Sequence, residues 1–298
     1  MDHSPPTHDT EADYPSPARG HYAQLVIATI ALFMAMSIQA ISLLIEPIKR
    51  DLHLTDVQVG LAQMTTFYVA YGLLATPMGM LVDRLARVRM LIGAAVLLVV
   101  ALALIALSRQ LWLFAAAKAM MGVANAIVYP APMSLIADYV APKKRAVALI
   151  SYPVGQTLGQ VVALMVGGLG YSALTRLAAV DPNALFGLHP WRVIPLSFAI
   201  LGLVLVPMLF AMREPTRMET SHAHAAAGAS IATSFRSLWA HRAFLLPLFA
   251  GMTFLGGLSS AVHLWIPAAL MRLHGLEPGD FAMPLGVITL VASLGSFI

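Results

Sequence analysis

Residues 79–91 have the sequence GMLVDRLARVRML, in which one aspartate and three arginines stand between two long apolar segments. These segments, residues 57–78 and 90–108, are each long enough to cross a hydrocarbon core of roughly 30 Å as a helix. A short basic loop between two such segments is typical of a chain that crosses a membrane repeatedly. The stretch therefore predicts a helical membrane protein.

Composition leads to the same fold class. Hydrophobic residues make up 59% of the 298 residues and charged residues 11%, and the mean hydropathy is +0.80. Soluble domains carry about 25% charged residues, so this chain has too few polar side chains to cover a water-facing surface. The chain has no cysteine, which excludes disulfides, thiolate metal sites and cysteine nucleophiles. The net charge of +4 comes from short clusters between apolar segments, which argues against a nucleic-acid partner.

The apolar segments predict an all-α integral membrane protein with a six-helix bundle followed by about two helices of a second, truncated bundle. We predict a disordered cytoplasmic leader at 1–21, the six-helix bundle at 22–212, a cytoplasmic linker at 213–241 and the start of the second bundle at 242–298. The last apolar segment reaches Ile298 without a polar flank, which we interpret as a helix that is cut. The predicted spans are 22–45, 57–78, 90–108, 111–137, 144–170, 192–211, 243–271 and 281–298.

Lysine and arginine counts predict the orientation. With the N-terminus in the cytoplasm, the cytoplasmic loops carry eleven of these residues and the opposite loops six, and Lys118 lies inside a span. Because cytoplasmic loops are enriched in Lys and Arg, we predict this orientation, in a multi-pass protein of the plasma or inner cell membrane.

The charged loop resembles the signature of the major facilitator superfamily, G-x-L-x-D-R-x-G-R followed by a basic and an apolar residue. Ala86 replaces the second glycine and Val88 the basic residue. The resemblance implies that the loop is a conformational latch for the outward-open state; a solvated basic turn is the alternative. We expect Gly79 to permit close backbone approach and Asp83 to complement the N-terminus of the third span. The predicted latch residues are Gly79, Asp83, Arg84 and Arg87.

Later segments extend the resemblance over residues 22–298. KAMMGVANA at 118–126 resembles an Arg-x-x-x-Gly motif of the fourth span, and Arg213-Glu214-Pro215 closes the sixth span as in many relatives. In the fifth span, Gly155 and Gly159 have the spacing that lets membrane helices pack closely. The segment SIQAISLLIEPIKRDLHLTDVQVGLAQ is most similar to spinster-like transporters and their organic-anion neighbours. Relatives of that branch often carry carboxylates for proton coupling where this chain has Ser37 and Asn125.

Lys118 is the charged residue nearest the middle of a predicted span. Burial of a lysine costs about 2.5–3.5 kcal/mol on insertion scales, so such residues usually face a cavity and act there. It is a candidate to attract an anionic solute or to carry a coupled proton. A lysine that snorkels or bonds to carbonyl groups is the alternative without a function in transport.

Helical spacing places further polar residues with Lys118. Gly122, Asn125 and Tyr129 share its face of the fourth span, and a second polar face lies on the fifth span. For each amide or tyrosine, a hydrogen bond between helices is the alternative to solute contact. His222 and His224 are expected to be solvated, and no metal site is predicted. The predicted solute-binding residues are Gln39, Tyr68, Lys118, Asn125, Tyr129, Tyr152, Gln156, Gln160 and His263.

These features predict a secondary transporter or facilitator that moves a small organic solute, with anions as one candidate class, by alternating access. The predicted partners are the solute and membrane lipid, with proton or other ion coupling left open, and the expected state is a monomer. One alternative is a truncated membrane fragment that does not transport. Another is an intramembrane enzyme, but the chain has no H-E-x-x-H, G-x-S-x-G or phosphate-binding glycine motif, and no cofactor is predicted.

Overall fold

Helices form nearly all of the chain that the computed structural model describes, which is residues 15–181, 183–217, 236 and 239–295. A segment with π-helical hydrogen bonding, Leu61–Thr65, joins α3 to α4. In chain order the helices are α1 (Pro17–Leu43), α2 (Ile45–Asp51), α3 (Asp56–Gly60), α4 (Thr66–Arg84), α5 (Arg87–Leu107), α6 (Leu111–Val128), α7 (Pro130–Tyr139), α8 (Pro142–Leu149), α9 (Ser151–Val180), α10 (Pro190–Ala211), α11 (Arg242–His274) and α12 (Pro278–Gly295).

Seven helical segments in these described ranges are long and apolar enough to span a membrane, which confirms the predicted fold class. A shorter apolar helix, Pro278–Ser293, overlaps the predicted eighth span. Residues 296–298 of that span lie outside the described ranges. The first span begins at Pro17, before the predicted residue 22, because proline at the first helical position already has a helical φ. The fifth span continues to Val180, past the predicted end at 170.

Prolines explain two interruptions within the spans. α1 ends at Leu43 and α2 begins at Ile45, and Pro47 lies inside α2. Proline has no N–H and its ring crowds the preceding turn, so the helix cannot continue without a break. The fourth span breaks in the same way at Tyr129, immediately before Pro130.

The second span starts with a capping box and then widens. Thr55 Oγ1 accepts the Gln58 N–H at 3.2 Å, and Gln58 Oε1 accepts the Thr55 N–H at 2.9 Å. In the following π segment, the Thr66 N–H bonds to the carbonyl oxygen of Leu61, five residues earlier. Such wide turns occur mostly as single-turn insertions in α-helices, often at functional sites.

The chain divides into two compact units. Unit 1 comprises Met1–Pro215 and Glu277–Ile298, and unit 2 comprises Thr216–Leu276. Within unit 1, α1 and α12 pack on α9, α4 packs on α6, and α5 packs on both α6 and α10. Unit 2 contains α11, and Gly275, the residue that follows this helix, has a left-handed φ of 65°. The domain boundaries predicted from the sequence remain predictions, and residues 1–14 and 218–235 lie outside the described chain.

Glycines allow the helices of unit 1 to approach closely. A methyl group added to Gly155 or Gly159 would overlap the carbonyl oxygen of Ala28 or Leu32, respectively, on α1. The predicted close packing of the fifth span is therefore confirmed, with the first span as its neighbour. Gly168 makes a similar approach to Ala282 of α12.

Candidate functional site

Lys118 lies on the side of α6 that packs against α4. Lys118 is 1% exposed, and its Nζ is 5.6 Å from the centre of the Phe67 ring. That distance is within the range of a cation–π interaction. One turn further along α6, a methyl group on Gly122 would overlap the Phe67 carbonyl oxygen, so the two helices are in close contact. The second span thus contributes an aromatic face to the only charged residue predicted in mid-span.

Three tyrosines lie together further along this face. The rings of Tyr129 and Tyr152 meet edge to face with their centres 5.7 Å apart, which joins the fourth and fifth spans. The Tyr71 and Tyr152 hydroxyls are near enough to interact electrostatically. We call Tyr71, Tyr129 and Tyr152 the tyrosine cluster. Tyr71 is one turn after Phe67, so the α4 face that meets Lys118 continues into this cluster.

Four predicted amides have open hydrogen-bonding groups. In the described ranges, no side-chain hydrogen bond is formed by Gln39 of α1, Asn125 of α6, or Gln156 and Gln160 of α9. Gln39 is buried and the other three are half-buried. Amides inside a membrane usually find a partner on a neighbouring helix. Their open groups favour contact with a solute or water over the alternative of structural bonds between helices.

Gln63 is a further polar residue at the second span that was not predicted as a site residue. It is 2% exposed, lies in the π segment, and donates from Nε2 to Ser42 Oγ at 3.2 Å. Its Oε1 has no hydrogen-bond partner in the described chain. A lone amide inside an apolar span is the signal in the sequence that points to it.

Two predicted residues are placed apart from these contacts. Tyr68 is 47% exposed, and its ring meets the Phe67 ring edge to face at 5.1 Å. His263 belongs to unit 2, where its Nδ1 is 2.8 Å from the Ser259 carbonyl oxygen. This bond lies within α11, and His263 is exposed in the described structure.

The charged loop leads into a buried charge cluster. Arg87 is 1% exposed and pairs with two carboxylates, Asp138 at the end of α7 and Glu214 after α10, with an Nε to Oε1 distance of 2.9 Å for Glu214. Its Nη1 also donates to Ser134 Oγ at 3.0 Å. The cluster ties the third, fourth and sixth spans together at one end of unit 1. We call Arg87, Asp138 and Glu214 the charge cluster.

The other predicted latch residues have different surroundings. Asp83 and Arg84 are exposed at the end of α4, and a methyl group on Gly79 would meet nothing within 4 Å in the described structure. The N-terminus of α5 receives a carboxylate from Glu214, whose Oε2 accepts the Val88 N–H at 2.8 Å. This is the role that the sequence suggested for Asp83, since an acid stabilises a helix N-terminus.

Metal-binding side chains are not grouped in the described residues, where no set of three His, Asp or Glu is placed to hold an ion. His222 and His224 lie outside the described ranges. The polar groups described above are one buried amine, four amides and a tyrosine cluster.

Apolar spanning helices that carry these polar groups, and that are tied at one end by a charge cluster, are features of a helical membrane transporter. The chain belongs to the Major Facilitator Superfamily, whose family model matches residues 25–298. This is a family of multi-pass membrane transporters, so the intramembrane enzyme is removed as an interpretation. Transporters of this family move small solutes across the membrane.

Curated relatives support the predicted spinster-like branch. Protein spinster of Drosophila melanogaster is 25% identical over 92% of this chain and 44% of its own length. Protein spinster homolog 1 of Xenopus tropicalis is 29% identical over 91% of this chain and 51% of its own length. An MFS-type efflux pump of Mycolicibacterium smegmatis is 22% identical, over 94% and 62%. The chain spans about half the length of the spinster relatives that it matches.

Solved structures show the shared fold. A bacterial homolog of the human lysosomal transporter Spinster, in an inward-facing and unoccupied conformation, matches with a TM-score of 0.80 and 24% identity, over 95% of this chain and 62% of that chain. Its inward-facing, occupied form matches with a TM-score of 0.76 and 23% identity, over 95% and 61%.

Proposed function

We propose that the protein takes part in moving a small organic anion across the membrane by alternating access. The observation that carries this proposal is the buried amine of Lys118, which has no carboxylate partner in the described residues. A buried cation without a counter-ion is costly, so an anionic solute that pairs with it would recover part of that cost. Phe67 holds the amine at the α4 face that continues into the tyrosine cluster.

Polar groups of the fourth and fifth spans suit an anion with polar substituents. Asn125, Gln156 and Gln160 offer amide N–H donors for carboxylate or phosphate oxygens, and tyrosine hydroxyls can donate as well. Carboxylates in the same place would repel such a solute, and the positions that hold acids in relatives are Ser37 and Asn125 here. If ion coupling exists, Lys118 is the titratable group that we propose for it.

Uptake into proteoliposomes tests the proposal. We would compare carboxylates with their own neutral amides, using wild type, Lys118→Gln and the charge-conserving Lys118→Arg. Lys118→Gln should lower carboxylate uptake at least tenfold and amide uptake less than twofold, while Lys118→Arg keeps part of the carboxylate uptake. Equal losses of uptake for a carboxylate and its neutral amide would assign Lys118 a structural role. A wild type that moves no solute of a broad panel would overturn the transport proposal itself.

We also propose that the charged loop acts as the latch implied by the family resemblance. Asp83 and Arg84 are exposed at the end of α4, four and three residues before Arg87 of the charge cluster, and a latch needs contacts that form in one conformation and break in another. Asp83→Asn should slow transport while leaving the amount of inserted protein unchanged. Transport at the wild-type rate would contradict this role for Asp83.

A further inference from the structure

A cavity of about 540 Å³ lies beside α8, away from the proposed solute-binding face. The first residues of α1 form one wall, and the end of α7 with α8 forms the other. Both walls are at the ends of membrane-spanning segments, where phospholipid headgroups lie. The cavity therefore lies at the level of the lipid phosphates along the membrane normal.

Basic side chains and apolar groups together line this cavity. His21, Lys143 and Lys144 line it, and no Asp or Glu is among its described lining residues. Val140 and Val147 supply apolar surface in the same cavity. A phosphate next to glycerol and acyl carbons has the same combination of negative charge and apolar surface.

A second cavity, of about 370 Å³, adds positive charge at the same end of unit 1. Arg19 and Arg213 line it, and Tyr139 lines both cavities. The Tyr139 hydroxyl donates to the Arg213 carbonyl oxygen, so the wall between the cavities is fixed by a hydrogen bond. Glu214 and Arg19 both act electrostatically on the Tyr139 hydroxyl, with opposite signs. Because Glu214 is paired with Arg87, Arg19 and Arg213 add basic side chains at the border of the larger cavity.

We propose that the cavity beside α8 binds the anionic headgroup of a membrane phospholipid. Basic cavities between membrane helices are suited to such headgroups, because the phosphate gains several cations while the acyl chains remain in the bilayer. The site is separate from Lys118 and the tyrosine cluster, so it adds a lipid-binding function to the proposed transport. Inorganic phosphate carries the same anionic group, so the experiment must distinguish it from a phospholipid headgroup.

Thermal unfolding of the full chain in detergent, with tryptophan fluorescence as the readout, tests the site. A ligand that binds the folded state raises the midpoint in proportion to the logarithm of its concentration above Kd. Dioleoylphosphatidylglycerol should raise the midpoint with this logarithmic dependence, whereas dioleoylphosphatidylcholine and inorganic phosphate should leave it unchanged. Lys143→Gln combined with Lys144→Gln should remove at least two thirds of this rise. The matched control, Arg89→Gln with Arg236→Gln, neutralises two exposed cations outside the cavity and should keep it.

Each other result would overturn the assignment. An equal rise with phosphatidylcholine would show general lipid stabilisation, and an equal rise with inorganic phosphate would show a free-anion site. A full rise in the Lys143 and Lys144 variant would place the lipid elsewhere. The predicted leader carries several acids and is the alternative occupant of the cavity. It is tested with Asp9→Asn, Glu11→Gln and Asp13→Asn together. A lipid effect that appears only in that variant would assign the cavity to the leader.

Discussion

Arg87 donates from Nε to the carboxylate of Glu214 at 2.9 Å, although 127 residues of chain separate the two. The same guanidinium pairs with Asp138, so one buried cation holds two carboxylates from different spans. Removal of one partner from a buried ionic group is costly because the remaining charge is left without compensation. The stability of this end of unit 1 should therefore depend on Arg87 more than on the exposed arginines near it.

Arg87→Met should lower the free energy of unfolding by about 3–5 kcal/mol, since the buried carboxylate of Asp138 would lose the guanidinium that pairs with it. Chemical unfolding in detergent, followed by tryptophan fluorescence, measures this change. Arg89→Met is the matched control, because Arg89 is exposed on the same helix. Its effect should be within about 0.5 kcal/mol. Equal effects of the two substitutions would contradict the importance of the charge cluster.

Gly155→Ala and Gly159→Ala should each destabilise unit 1 by about 1–3 kcal/mol, because a methyl group would force α9 away from α1. Gly93→Ala serves as the control. A methyl group there meets nothing within 4 Å in the described structure, and alanine is the better helix former, so stability should rise by roughly 0.5–1 kcal/mol. Thermal midpoints in one detergent would rank the three variants. Destabilisation by Gly93→Ala as large as by Gly155→Ala would argue against close α1 and α9 packing.

Lys118→Met should leave stability unchanged or raise it, since it removes a buried charge whose insertion costs about 2.5–3.5 kcal/mol. Arg192 is the contrasting buried cation, because its Nη2 is 2.8 Å from Asp51 Oδ2 and its Nη1 donates to the Ala106 carbonyl oxygen at 2.8 Å. Arg192→Met should therefore destabilise the protein by about 3–5 kcal/mol. Unfolding midpoints of both variants check the pair. Strong destabilisation by Lys118→Met would mean that the amine has a structural role.

The absence of cysteine makes the predicted orientation directly testable. Arg89→Cys and Arg109→Cys place single thiols at opposite ends of α5, at exposed positions. With the N-terminus in the cytoplasm, a membrane-impermeant maleimide added to intact cells should label Arg109→Cys and spare Arg89→Cys. Both should react after the membrane is permeabilised, which controls for thiol reactivity. The reverse labelling pattern would invert the proposed topology.

Fold class was predictable from the sequence because apolar segment lengths and the scarcity of charge leave few alternatives for the chain. The packing of Gly155 and Gly159 was also predictable, since a spacing of four residues places both on one helix face. Their neighbour, α1, was not, because helix spacing carries no information about which helix lies opposite. The same limit applies to Arg87, whose partners Asp138 and Glu214 come from distant segments.

The candidate site was predictable in its fourth and fifth spans and less so in the second. Lys118, Tyr129 and Tyr152 were selected from α-helical periodicity, and the structure places them in contact with aromatic rings. Tyr71 and Gln63 were missed because the sequence of the second span does not show which of its faces meets the fourth span. Tyr68 was selected instead, and it is half exposed beside Phe67.

The wide turn at Leu61–Thr65 therefore rotates the rest of the second span, about its own axis, relative to the residues before the turn. One residue corresponds to a rotation of about 100° around an α-helix. Deletion of a single residue from this segment would restore an ordinary turn and rotate everything beyond it by that amount. Phe67 and Tyr71 would then turn away from Lys118 and Tyr152 with no side chain of the face replaced. The alignment of aromatic rings with the buried amine is set by the number of residues in one turn, and an insertion or deletion at that point would change the site more than most substitutions within it.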